Sequence, residues 1–594
     1  MKIAAYITAV VLVFFMLLYG LAIMAQPKEL TSLTAIEVQQ APPAPYPSDF
    51  DTQLAHMSSL KIQRHSESPE DIPWQTSSDF PEIGSPLARK GGTLRLSNDG
   101  AFPANFLAFG SPTPQFFHYN LFDKIDVPLI RQHPDTGEMI PGLADAWAQH
   151  HGMLWYRLNS LARYSNGRPV RASDFALGAY LREKTGERAM GTVITELHIY
   201  GDNVLAVKLH KDCYKPFLKA ATVLHPAEPG FYADFGNNYQ KLYQNRVPPT
   251  TGAYTIGNVQ QGKLITLVRN KSWWAKDLPG FRYTCNADCI EHHFFTLESQ
   301  VWELFLKGQL DILQTRNIAV WQEKLKDADT RINQQRFILN YPMPPYGIAL
   351  NAQALPNINL RRGLLHAMDM QQAMNVIFRG DVERLKQFAT GYRNIPAINT
   401  SYQYNPEMAR AYFQAAGYTE CGTDGILKRK DGTRLSIRLT YTQSAKNDTL
   451  ISLLAQSASA CGAEIIPEPL PSQSCAERIH NQQYHMTYWA TTAGAYTPDY
   501  RRSFHSSSRG ADAPFCLKDK EMDKAIEAFE TAMTPTDIAE TASEVEQLIY
   551  ERAVWLPGWM ENRANIATWP HVHFPQSSYS TYDLVESHIF WLSN

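Results

Sequence analysis

The sequence predicts an α/β fold in two lobes, with mixed β-sheets flanked by helices. Three observations carry that expectation. The 594 residues are 44% hydrophobic and 19% charged, which is enough apolar material for more than one core. From Gly91 the chain runs in short strand-like segments punctuated by Gly and Pro: 93–97 (TLRLS), 204–209 (VLAVKL), 264–269 (LITLVR) and 290–295 (IEHHFF). From Leu360 the texture changes to helix, strand, helix, strand, an order that demands parallel pairing with helices on the sheet faces.

Within that second region, 360–378 and 406–417 show helical periodicity, the latter stopping at Gly417. Residues 434–442 alternate apolar and polar as a strand does, 450–462 read as a helix, and 463–470 as the next strand. At the other end, residues 3–25 form an apolar run of 23 residues behind Lys2, long enough to span a bilayer. It reads equally as a cleaved export signal or an uncleaved anchor, and export is expected either way. No cysteine precedes Cys213, so an acylated N-terminal cysteine is not expected. Residues 26–90, with Pro-rich 39–50 and further prolines to Pro86, read as a linker or arm. The alternative is a loop wrapped over a lobe, to which Phe50, Trp74 and Phe80 would contribute.

Composition also excludes function classes. With 55 Lys+Arg against 58 Asp+Glu, the formal charge of -3 gives no footprint for nucleic acid. The sequence contains no Gly-x-Ser-x-Gly elbow, no phosphate-cradling Gly-x-x-x-x-Gly-Lys, no His-Glu-x-x-His and no dinucleotide fingerprint, so neither an enzyme nor a cofactor is expected.

A series of short motifs carries a resemblance. Residues 143–147 (LADAW), 155–158 (WYRL) and 162–175 (ARYSNGRPVRASDF) come first, followed by 248–256 (PPTTGAYTI), 269–274 (RNKSWW), 304–313 (LFLKGQLDIL), 359–374 and 404–418. In this order they resemble the family 5 extracellular solute-binding proteins of bacterial ABC importers, the class of oligopeptide- and dipeptide-binding proteins. Residues 388–392 (FATGY) and 484–506 resemble the Yej-type branch, associated with peptide uptake. In 162–175, Asn166-Gly167 is a tight-turn pair and Ser173-Asp174 stands where a helix N-cap is expected.

The resemblance implies a two-lobed periplasmic-binding-protein type II fold of the large cluster C form, with a hinge between the lobes. Lobe I would comprise 91–342 plus 553–594 and lobe II 343–552, with crossings near 341–351 and 553–563. It further implies a monomer outside the cytoplasm that takes a peptide or peptide-like ligand and delivers it to permease and ATPase subunits. Membrane contact would come through residues 3–25 alone, if these are retained. The alternative is a membrane-tethered sensor of the same fold.

Ligand contacts implied by position are Asn105 and Tyr119 after the first strand, Tyr346 and Trp489 as aromatic walls, and the segment following Trp489. Oligopeptide binders place an aspartate just after the matching tryptophan, where it pairs with the peptide ammonium. Here 490–494 read Ala-Thr-Thr-Ala-Gly, so Thr491 and Thr492 would offer backbone, and Asp499 is the nearest acid. Simple tripeptides with free N-termini are therefore expected to bind weakly. Arg501, with Arg502 beside it, is a candidate for a ligand carboxylate or phosphate. Cys285 and Cys289, followed by His292 and His293, have the residue types of a zinc site. Neighbouring histidines on a strand point to opposite faces, however, and a local disulfide is the better expectation in an oxidising compartment. No metal is assigned.

Overall fold

In a computed structural model, the described residues are 60–593 except 99–101, 104, 110–124, 185–192, 234–238, 296, 316, 327, 340–341, 399–401, 492, 495, 511–512, 576–578 and 581–587. The candidate export segment, Tyr119 and Thr492 lie outside them. Among the described residues no helix is long and apolar enough to cross a membrane.

The first body is built on two large sheets. One has five strands, in the order Lys61–His65, Ile194–Tyr200, Val204–Leu209, Met153–Leu158 and Ala144–His150. The other has eight, and its centre places Arg563–Thr568 between Asn333–Leu339 and Ile312–Thr315, with Thr93–Asn98 next. One apolar core serves both sheets. It draws on residues from Leu60 to Ile312 and takes in Ala564, Ile566, Val572 and Phe590 from the chain's end. Residues 60–90 lie against this body: 61–65 pair in parallel with 196–200, Gln75 bridges to Trp147, and Ile72 is buried beside Ala148 and Trp155.

The second body is built on five strands in the order Glu464–Leu470, Ser436–Thr442, Met486–Ala490, Tyr346–Leu350 and Trp555–Pro557. The expected strand-helix-strand unit is present: 436–442 and 464–470 pair in parallel around helix Ala445–Ala460. That helix begins five residues before the periodicity at 450, because the Ser444 side chain accepts from the Asn447 amide and caps it there. The apolar pattern over 360–378 resolves into two helices, Ile358–Ala367 and Met370–Phe378, since Asp369 caps the second and ends the run.

Two details correct the sequence reading. Asp174 lies inside the first turn of helix Ala172–Lys184 and reaches back to the Arg171 amide at 3.0 Å, where it is also gripped by Arg168. The Cys285–Cys289 disulfide is not formed; all seven cysteines are free. Cys285 sits in a left-handed turn (φ 57°) and Cys289 opens a strand. On that strand His292 is buried and His293 turns outward to Glu291 at 3.0 Å, so the two imidazoles diverge.

The chain passes between the bodies twice, from 333–339 to 346–350 and from 555–557 to 563–568. These crossings touch: the Tyr346 amide donates to the Trp559 carbonyl at 2.7 Å, and the Gly558 amide to the Tyr346 carbonyl at 2.9 Å. A Cβ on Gly347 would stand 2.4 Å from the Leu556 carbonyl oxygen, so the approach requires glycine there. Tyr346, Trp559 and Tyr488 stack beside the crossings, with Tyr346 and Trp559 at 5.5 Å and 9°.

Candidate functional site

A cavity of about 90 Å3 lies where the two bodies meet. From the first body come Gln132, Gly137, Tyr214 and Lys215; from the second come Tyr392, Arg393, Asn394, Tyr496 and Thr497. A pocket for a whole small-molecule ligand spans roughly 300–1,000 Å3. The space present here is smaller than that range. A larger hollow of about 440 Å3, lined by residues such as Gln371, Arg384 and Gln403, lies wholly in the second body.

Contacts interlock across the seam. Tyr214 packs against the second body's core beside Tyr392 and Leu517, while Tyr496 packs against the core of the first. The Asn394 side-chain amide donates to the Tyr214 hydroxyl at 2.5 Å, and the Arg393 guanidinium donates to the carbonyls of Asp135 (3.1 Å) and Pro134 (3.3 Å). Burial raises the pKa of all three tyrosines, Tyr496 to about 12, so their hydroxyls remain neutral donors. Lys215 is shifted down, first by burial and then by the facing Arg393.

Two turns present these side chains. The loop bearing Tyr392–Asn394 is anchored by Glu546, buried on helix Pro535–Glu551, which accepts from the Phe388 (2.8 Å) and Ala389 (2.7 Å) amides. The turn bearing Tyr496 needs Gly494, whose Cβ would meet the Thr497 carbonyl oxygen at 2.0 Å; the Gly494 carbonyl accepts from the Tyr392 hydroxyl at 2.9 Å.

Among the described residues, those singled out from sequence do not line this cavity. Thr491 is buried just before the turn of Gly494. Tyr346 stacks at the crossings. Trp489, 7% exposed, packs edge-on against Phe515 in the second body's core. Asp499 caps helix Tyr500–Phe504 through the Arg502 amide at 3.1 Å. Arg501 donates through Nε and Nη2 to Glu530, and its Nη1 lies 3.2 Å from His505 Nε2. Asn105 accepts from the Leu107 amide at 3.2 Å. Sequence reasoning missed Tyr214, Lys215, Arg393, Asn394 and Tyr496. The available signal was 388–392, singled out as a branch feature and directly preceding two of them.

Fold and seam together define a two-body binding protein. The oligopeptide-binding protein AppA of Bacillus subtilis, solved with a nonapeptide, superimposes with a TM-score of 0.67 at 15% identity, covering 85% of this chain and 100% of AppA. The chain belongs to the bacterial extracellular solute-binding proteins of family 5, whose middle-region model matches residues 138–512, more than half of its length. A binding protein of Brucella melitensis is 25% identical over 278 residues, 44% of each chain. YejA of Escherichia coli is 23% identical over 345 residues, 56% of this chain and 53% of YejA. The chain thus spans about half the length of these curated relatives.

Proposed function

We propose that this protein is the extracytoplasmic solute-binding component of an ABC importer, and that it captures a peptide or peptide-like solute between its bodies for delivery to a permease and its ATPase. The observation that carries this reading is the cavity lined from both bodies, beside two mutually bonded crossings that can serve as the hinge. Ligand contacts that exist only when both bodies touch the solute shift the population towards the closed form. On this reading the division expected from sequence, 91–342 with 553–594 and 343–552, shifts so that 60–90 join the first lobe and 553–559 the second. Thr491 is the candidate for a backbone contact with a strand-like ligand, and Trp489, Asp499 and Arg501 hold the scaffold. Peptide is favoured as cargo because AppA, which shares the fold, was solved with one.

Small-angle scattering tests closure. The purified protein is expected to contract when a mixed peptide pool is added, in proportion to the peptide retained on gel filtration. Retained peptide with an unchanged scattering profile would sink the hinge mechanism.

A further inference from the structure

Lys215 and Arg393 bring two positive charges into one small cavity from opposite bodies. Neither has an acidic partner among the described residues. Arg393 spends its donors on two backbone carbonyls across the seam. The Lys215 ammonium lies over two ring faces, Tyr214 at 5.6 Å and Tyr496 at 5.9 Å, and the second of these belongs to the other body. Lys215 also adopts a left-handed backbone (φ 49°), a conformation that a lysine rarely takes and that the neighbouring packing must impose.

A half-buried ammonium facing another cation is unfavourable for the protein alone. It becomes favourable when an anion enters between the two, because charge-assisted hydrogen bonds then replace the repulsion. We propose that Lys215, with Arg393 opposite, receives a carboxylate of the captured solute, so that an anionic group is the part of the ligand that clamps the bodies together. This rests on the cleft being the capture site. Burial depresses the Lys215 pKa, as expected of an ammonium desolvated without a counter-charge, and a bound carboxylate would reverse that. Selectivity for an acidic end follows, because a neutral amide or ester would leave the cation pair uncompensated.

The test compares two forms of one probe: a mixed tri- to hexapeptide pool, untreated or with every carboxylate converted to its methyl ester. Protein purified from the exporting cell is incubated with each, and retained peptides are read by native mass spectrometry. The untreated pool is expected to be retained at least tenfold more than the ester pool. K215M is expected to reduce retention of the untreated pool about tenfold with an equal or higher melting temperature, while K215R keeps the preference. A merely structural lysine would instead lose binding and melting temperature together. Equal retention of the two pools by the unmodified protein overturns the proposal and leaves peptide capture standing; retention of neither overturns both.

Discussion

Each body buries a carboxylate beside a helix, and the two are neutralised differently. In the first body Asp174, fully buried, takes both arms of Arg168 (3.0 and 3.2 Å), the Arg171 amide and the Tyr164 hydroxyl at 3.1 Å. In the second, Glu546, 1% exposed, has no cationic partner among the described residues; it accepts from the amides of Phe388 and Ala389 and the hydroxyl of Tyr500 at 2.8 Å. Burial raises both pKa values, Asp174 to about 6 and Glu546 to about 7. The difference teaches what each site holds. The ion pair fixes the turn that leads into helix Ala172–Lys184, whereas Glu546 holds the loop that carries Tyr392, Arg393 and Asn394, so the geometry of that loop depends on a carboxyl whose pKa burial raises to about 7.

The comparison breaks most severely at Arg168. Replacing it with leucine leaves Asp174 buried without its cation, and the expected loss is about 3–5 kcal/mol, read as a fall in the urea midpoint at pH 7. In the second body the matching operation is Glu546→Ala. It orphans two amides and a hydroxyl at a cost of about 3 kcal/mol, and hydrogen exchange at Phe388 and Ala389 should accelerate while the Arg171 amide stays protected. Glu546→Gln retains an acceptor and should cost roughly half as much.

The smallest effect is on pH dependence. A carboxyl whose folded pKa lies above its unfolded value binds its proton more tightly when folded. Its contribution is therefore fully present below the unfolded pKa and is lost as pH rises through the folded one. For Glu546, between a free value of 4.5 and about 7, stability should fall by about 1 kcal/mol from pH 6 to 7.5, measured by thermal melts at each pH. Most of Asp174's loss falls at lower pH, so Glu546→Gln should flatten the curve in this window; an unchanged slope would refute the assignment.

Much of the fold was legible because it is local. Alternation at 93–97, 204–209 and 264–269 marked strands that the structure contains, and the change of period after Leu360 marked the parallel pair 436–442 and 464–470. Helix ends were less legible, since Asp369 and Ser444 act through single capping bonds that periodicity does not register. The site was least so. Tyr214 and Lys215 lie some 180 residues from Arg393 and Asn394, and nothing in either segment announces the other.

By itself, then, the sequence determined the α/β class, the run of strands and helices, the family motifs and the absence of a catalytic signature. Each of these is written in hydrophobic period, turn residues or short-range spacing. Only the tertiary structure decided that Trp489 packs inward, that Arg501 is consumed by Glu530, and that Lys215 meets Arg393 across a seam. A side chain's partner is fixed by how two bodies pack, and a charge becomes available for a ligand only when no other residue of the fold has already claimed it.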